Sequence, residues 1–124
     1  MRYKVILTLT SLFFLVQACK KNEYVEPGPQ LLFTVVKDNM VFVEDATITL
    51  YNTQDDWELQ QNAVTSLQTD STGQALFEDL NEQKYYFYVE KGILNNKADI
   101  GVTADSLKIG RRSELLVKIM ECDL

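Results

Sequence analysis

From Leu31 onward, apolar residues fall at every second position in short runs, and polar or turn-forming residues separate the runs. A two-residue period puts one set of side chains on each face of an extended chain, as in a half-buried antiparallel strand. Leu31–Lys37 (Leu-Leu-Phe-Thr-Val-Val-Lys) is the first such strand, rich in β-branched and aromatic residues. Asp38-Asn39 breaks it, and Val41-Phe42-Val43 is a short apolar stretch. Ala46–Tyr51 alternates cleanly, with Ala46, Ile48 and Leu50 on one face and Thr47, Thr49 and Tyr51 on the other. Asn52–Asn62 is polar apart from Trp57 and Leu59, and reads as a long loop with room for one helical turn capped by Asp55. Ala63–Thr69 is a third strand. Asp70-Ser71-Thr72-Gly73 follows as a hairpin turn, in which Asp bonds nearby backbone and Gly accepts positive φ. Gln74–Phe77 returns with Ala75 and Phe77 inward. After a turn at Asn81–Lys84, Lys84–Lys91 is the strongest strand, with Tyr85, Phe87 and Val89 on one face and Tyr86 and Tyr88 on the other; Gly92 ends it. Ile100, Val102 and Ala104 predict a sixth strand. Gly110-Arg111-Arg112 then turns the chain into a seventh, Ser113–Glu121, with Leu115, Val117 and Ile119 inward. No segment sustains a helical period, so the pattern predicts an all-β, seven-stranded sandwich.

The N-terminus follows a different pattern. Met1–Lys4 carries Arg2 and Lys4 and no acid, and Val5–Val16 is apolar apart from Thr8, Thr10 and Ser11. A basic start, a short apolar run and a small residue before the cut describe a secretory signal peptide. The run is short of the roughly 20 residues of a bilayer span. Leu15-Val16-Gln17-Ala18-Cys19 resembles the lipobox of bacterial lipoproteins, matched by Leu15, Ala18 and Cys19. The resemblance implies cleavage between Ala18 and Cys19, a diacylglycerol on the Cys19 thiol, an acyl chain on the new amine, and a place on the outer membrane, facing either the periplasm or the outside. An ordinary secreted protein with a free Cys19 is the alternative. Lys20–Gln30, with Pro27-Gly28-Pro29 at its end, has the composition of a tether. The expected organisation is a signal peptide over 1–18, a lipidated cysteine and flexible tether over 19–30, and a sandwich domain over 31–124.

Charge and composition remove whole classes of function. The formal net charge is −6, and the signal peptide would take Arg2 and Lys4 with it. An acidic surface repels phosphate backbones, so nucleic acid is not an expected partner. The chain contains no histidine, which removes His-based triads and the commonest zinc ligand. If Cys19 is acylated, Cys122 is the sole free cysteine and no intramolecular disulfide forms; Cys122 reads as a small residue at the end of the last strand, with an intermolecular bridge the other option. No glycine-rich phosphate loop occurs. Of the carboxylate pairs, Glu78-Asp79 would point to opposite faces of a strand. Asp55, Asp56 and Asp70 lack EF-hand spacing, so solvated loop acids are expected rather than a calcium site.

A second resemblance concerns the fold. Val43-Glu44-Asp45-Ala46-Thr47-Ile48-Thr49-Leu50-Tyr51 looks like the V-x-G-A-x-V-x-L-Y strand of carboxypeptidase-regulatory-like and Cna-B-like domains. Thr69-Asp70-Ser71-Thr72-Gly73-Gln74-Ala75-Leu76-Phe77-Glu78-Asp79-Leu80 is similar to their T-D-x-x-G-x-x-x-F-x-x-L hairpin. Tyr85, Phe87 and Val89 fall where the family's next strand falls. The resemblance implies a transthyretin-like, Ig-like Greek-key sandwich that serves as an accessory module without catalytic residues or cofactor. Asp45 stands where the family has Gly; if that position needs positive φ, Asp tolerates it better than most residues, at some strain. Some Cna-B-like domains join a first-strand Lys to a last-strand Asn; Lys37 is present, but Ser113–Leu124 has no Asn, so no such bond is expected. The expected function is contact with another envelope protein through an exposed sheet face or edge. The alternative is glycan binding by Trp57 with outward-facing Tyr86 and Tyr88. Against it, a lone Trp also serves to cover a sandwich end, and tyrosines line sheet faces through cross-strand packing alone.

Overall fold

In the computed structural model, which describes residues 27–98 and 100–121, the elements in chain order are β1 (Gln30–Lys37), β2 (Val41–Phe42), β3 (Thr47–Tyr51), α1 (Gln54–Leu59), β4 (Thr65–Gln68), β5 (Gln74–Phe77), β6 (Tyr86–Lys91), β7 (Leu94–Asn95), β8 (Arg112–Lys118) and β9 (Met120–Glu121). They form two stacked sheets, and the fold is an all-β sandwich. β1 is the centre of the first sheet. Along one edge it pairs in parallel with β8, from Gln30↔Arg112 to Val36↔Lys118. The other edge is shared: β5 is antiparallel over Leu31–Thr34, and β2 over Val36–Lys37. The second sheet has the order β4-β3-β6-β7-β9. The parallel pairing of the first long strand with the last makes the chain cross over between sheets, which a simple meander would not require.

The alternation seen in the sequence explains the core. Leu31, Phe33 and Val35 from β1 face Ile48 and Leu50 from β3 and Val89 from β6, all with no exposed surface. Phe33 stands edge-on to Phe77 of its own sheet (5.7 Å between ring centroids) and to Phe87 of the opposite sheet (5.1 Å). Each such side chain contributes about 1.5–3 kcal/mol on burial. The loop entering β3 is held by Thr69, which is buried: its hydroxyl accepts from Ala46 N (2.9 Å) and donates to Val43 O (2.6 Å). Asp45 does take positive φ, at 61°.

The turn at Asp70 forms as its residues dictate. Asp70 Oδ1 accepts from Thr72 N, Thr72 Oγ1 and Gln74 N. Gly73 has φ 76°, and a Cβ there would lie 2.9 Å from Val35 O, so both backbone angle and space require glycine.

Four expectations are corrected. The stretch Ile100, Val102, Ala104 does not form an inward-facing strand. Ile100 is 50% exposed, while Gly101 and Thr103 are the buried positions. Phe87 N donates to Gly101 O, Thr103 N donates to Tyr85 O, and Thr103 Oγ1 accepts from Tyr85 N. A Cβ at residue 101 would come within 2.5 Å of Phe87 O; only glycine fits against β6, and that sets the parity of its neighbours. The helical turn expected within 52–62 forms over Gln54–Leu59, but Thr53, not Asp55, caps it: Thr53 Oγ1 accepts from Asp56 N. Tyr51 is buried despite its place on the polar face of β3, because α1 packs against β3 and β6. The seventh strand is divided at Ile119 into β8 and β9, which belong to different sheets. Nine strands therefore stand among the described residues where the sequence predicts seven; β2, β7 and β9 are two residues each.

Candidate interaction surface

The aromatic residues singled out in the sequence sit around α1. Trp57 is 3% exposed, and its indole N–H donates to Phe87 O at 2.7 Å. The Lys97 ammonium lies 5.3 Å from the Trp57 ring centroid and 5.5 Å from that of Tyr88, and donates to Glu58 O at 3.3 Å. A buried indole roofed by a cation has no free face on which a sugar could stack. This corrects the reading of Trp57 as a ligand-binding aromatic: the ring seals the face of the second sheet. Tyr86 and Tyr88 are half-buried on that face, opposite Tyr51 and Thr49 on β3. Burial raises the Tyr51 phenol above its ordinary pKa, and the Glu90 carboxylate and Tyr88 add to the shift. Tyr88 and Trp57 thus share the Lys97 ammonium, but Trp57 is buried.

The loop acids stay apart. Asp70 is committed to its own turn, and the Thr72 hydroxyl first, then the Gln74 and Thr72 backbone N–H groups, hold its carboxyl below the ordinary range. Asp56 Oδ1 accepts from Asn62 Nδ2. Among the described residues no three His, Cys, Asp or Glu side chains gather in a cation-sized site. Ala18, Cys19 and Cys122 lie outside the described residues.

A concave surface lies beside β8. Phe87, Asn96, Ile100, Gly101, Leu116 and Val117 line a cleft of about 280 Å³. Its floor is built on Asn96, a buried amide that bridges the open part of the β6 ladder. Asn96 Oδ1 accepts from Val89 N (2.9 Å), and its Nδ2 donates to Phe87 O (3.1 Å). Its mouth is apolar: Ile100 is 50% exposed, Leu116 58% and Met120 43%. β8 pairs only with β1 among the described strands, so its other edge borders this cleft with backbone groups unpaired by any strand. An open edge beside an apolar cleft suits an extended peptide, whose backbone can extend the sheet while an alternate side chain enters the cleft. Sequence reading passed over this site. The available signal was Leu116: within Leu115-Leu116-Val117, the outward position of an alternating strand is apolar. β4 is the corresponding open edge of the second sheet, exposed throughout and pairing only with β3 among the described strands.

No protein-family model matches the chain, and no curated protein sequence matches it. Solved structures do. The Bacillus anthracis TIE protein superposes with TM-score 0.54 at 16% identity, over 76% of this chain and 16% of that one. The group B streptococcus pilus 2b backbone protein gives TM-score 0.54 at 15% identity, over 74% and 40%. The minor pilin GBS52 of Streptococcus agalactiae gives 0.54 at 14%, over 81% and 47%. This chain thus spans less than half the length of each. At these identities the likeness is one of fold, the β-sandwich seen in pilin domains.

Proposed function

We propose that this protein is a non-catalytic accessory module that makes protein–protein contacts, held on the outer membrane by lipid at Cys19. The observation that carries the contact reading is the unpaired edge of β8 running beside the apolar cleft. The use of the same fold in a pilus backbone protein and a minor pilin supports an assembly role. The anchor reading rests on Leu15, Ala18 and Cys19 and on the tether that follows them. Diacylglycerol on the thiol and an N-acyl chain would each add about 0.8 kcal/mol of membrane affinity per buried CH₂, enough together for stable attachment. Glycan binding through Tyr86 and Tyr88 is the second reading. It loses its third aromatic with Trp57 inside.

The contact is tested by placing a photo-crosslinking residue at Leu116 in the full-length protein in intact cells. The expected result is a protein adduct that is lost with Ile100→Lys, which puts a charge at the half-exposed apolar mouth of the cleft, and in the unlipidated Cys19→Ser control. Equal adduct yield in all three would overturn the reading.

A further inference from the structure

The strand that begins at the tether ends in an apolar tip. β1 is eight residues long, about 26 Å at 3.3 Å per residue, and runs from the Pro27–Pro29 end to the turn at Asp38–Met40. That turn holds two consecutive non-glycine residues at positive φ, Asn39 (61°) and Met40 (58°). After it come Val41 and Phe42. Met40 is 58% exposed, Val41 48% and Phe42 59%. Three adjacent large apolar residues at an exposed hairpin are uncommon on a surface with no partner. The packing leaves them no way inward: Phe42 Cβ lies against the Gly73 turn, and the next residue, Val43, already fills the core.

The charges around the tip limit what can cover it. Asp38 precedes it, Glu44 and Asp45 follow it in the chain, and Asp70 belongs to the turn whose Gly73 abuts Phe42; on the basic side, Lys37 pairs with Val41 and Lys118 with Val36. A second copy of this chain, itself at −6, would bring like charge to like charge, and an anionic membrane surface would do the same. We propose that the Met40–Phe42 tip docks into an apolar groove edged with lysine or arginine on a partner protein. This deepens the protein-contact reading above by naming a second surface and the chemistry it needs.

The experiment places p-benzoylphenylalanine at Phe42 in the full-length chain in intact cells, with the Leu116 position run in parallel. The expected result at Phe42 is a protein adduct whose mapped contact peptide contains apolar residues flanked by Lys or Arg. Its yield should fall about tenfold when Asp38→Lys and Glu44→Lys are added, the effect of about 1.4 kcal/mol. Both residues are exposed, and an unchanged melting temperature would confirm that the variant folds. Adducts only with lipid or with a second copy, no adduct, or an adduct indifferent to charge reversal would each overturn the proposal. Because Leu116 reports on the β8 cleft independently, loss of the tip signal alone and loss of both signals are distinguishable.

Discussion

Asn96 and Asp70 show how single polar residues hold this sandwich. Asn96 satisfies Val89 N and Phe87 O on the edge of β6 away from β3, where no strand pairs with these two residues. Asn96→Ala would strand Val89 N, while Phe87 O keeps the Trp57 indole N–H, and is expected to lower unfolding stability by about 1–3 kcal/mol in urea titrations, with the m-value unchanged. Asp70 is exposed and matters through its charge state. Its folded pKa lies below the unfolded value, so its contribution is present above the unfolded pKa and is lost as pH falls through the folded one. NMR titration is expected to show Asp70 below the ordinary aspartate range, and Asp70→Asn to flatten the acid limb of the stability curve. Both roles were unequally visible in the sequence. Asp70 acts within four residues of itself, so Asp-Ser-Thr-Gly revealed it. Asn96 bonds backbone seven and nine residues away, and nothing local marks it.

At the scale of elements, alternation succeeded wherever a strand has one wet and one dry face. β1, β3, β5 and β6 bury the residues that a two-residue period selects. Phe33, which joins the two layers through Phe77 and Phe87, tests this: Phe33→Ala is expected to cost about 3–5 kcal/mol, measured by denaturant unfolding. Alternation failed at 100–104 because backbone proximity, not hydrophobicity, chose the buried positions. Gly101→Ala is expected to destabilise by at least about 1 kcal/mol, since its new methyl would meet Phe87 O. Thermal melts of the two variants would rank these effects. The sequence allowed no more than one helical turn at α1 because six residues are too few to show a period, and the helix's stability comes from Trp57 packing rather than from propensity.

For the molecule as a whole, the open β8 edge and the apolar tip make separate predictions about assembly, while Cys19 makes one about place. The mass of the mature protein from membranes, before and after mild lipid hydrolysis, is expected to match the chain from Cys19 onward plus acyl chains. A mass without lipid would make it a soluble secreted domain. Leu116→Lys, at a site 58% exposed, is expected to leave stability within about 0.5 kcal/mol and to reduce recovery of any partner that uses the cleft, as read by quantitative crosslinking.

The sequence by itself determined the class of fold, most long strands and the Asp70 turn, because each depends on residues close together in the chain. Only the tertiary structure decided that β8 lies parallel beside β1, that Trp57 turns inward under Lys97, and that Ile100, Leu116 and Met120 meet at one cleft. These outcomes follow from which edges and faces the second sheet leaves uncovered. That is settled by pairings between residues up to some eighty positions apart, such as Gln30 with Arg112, to which a local pattern is blind.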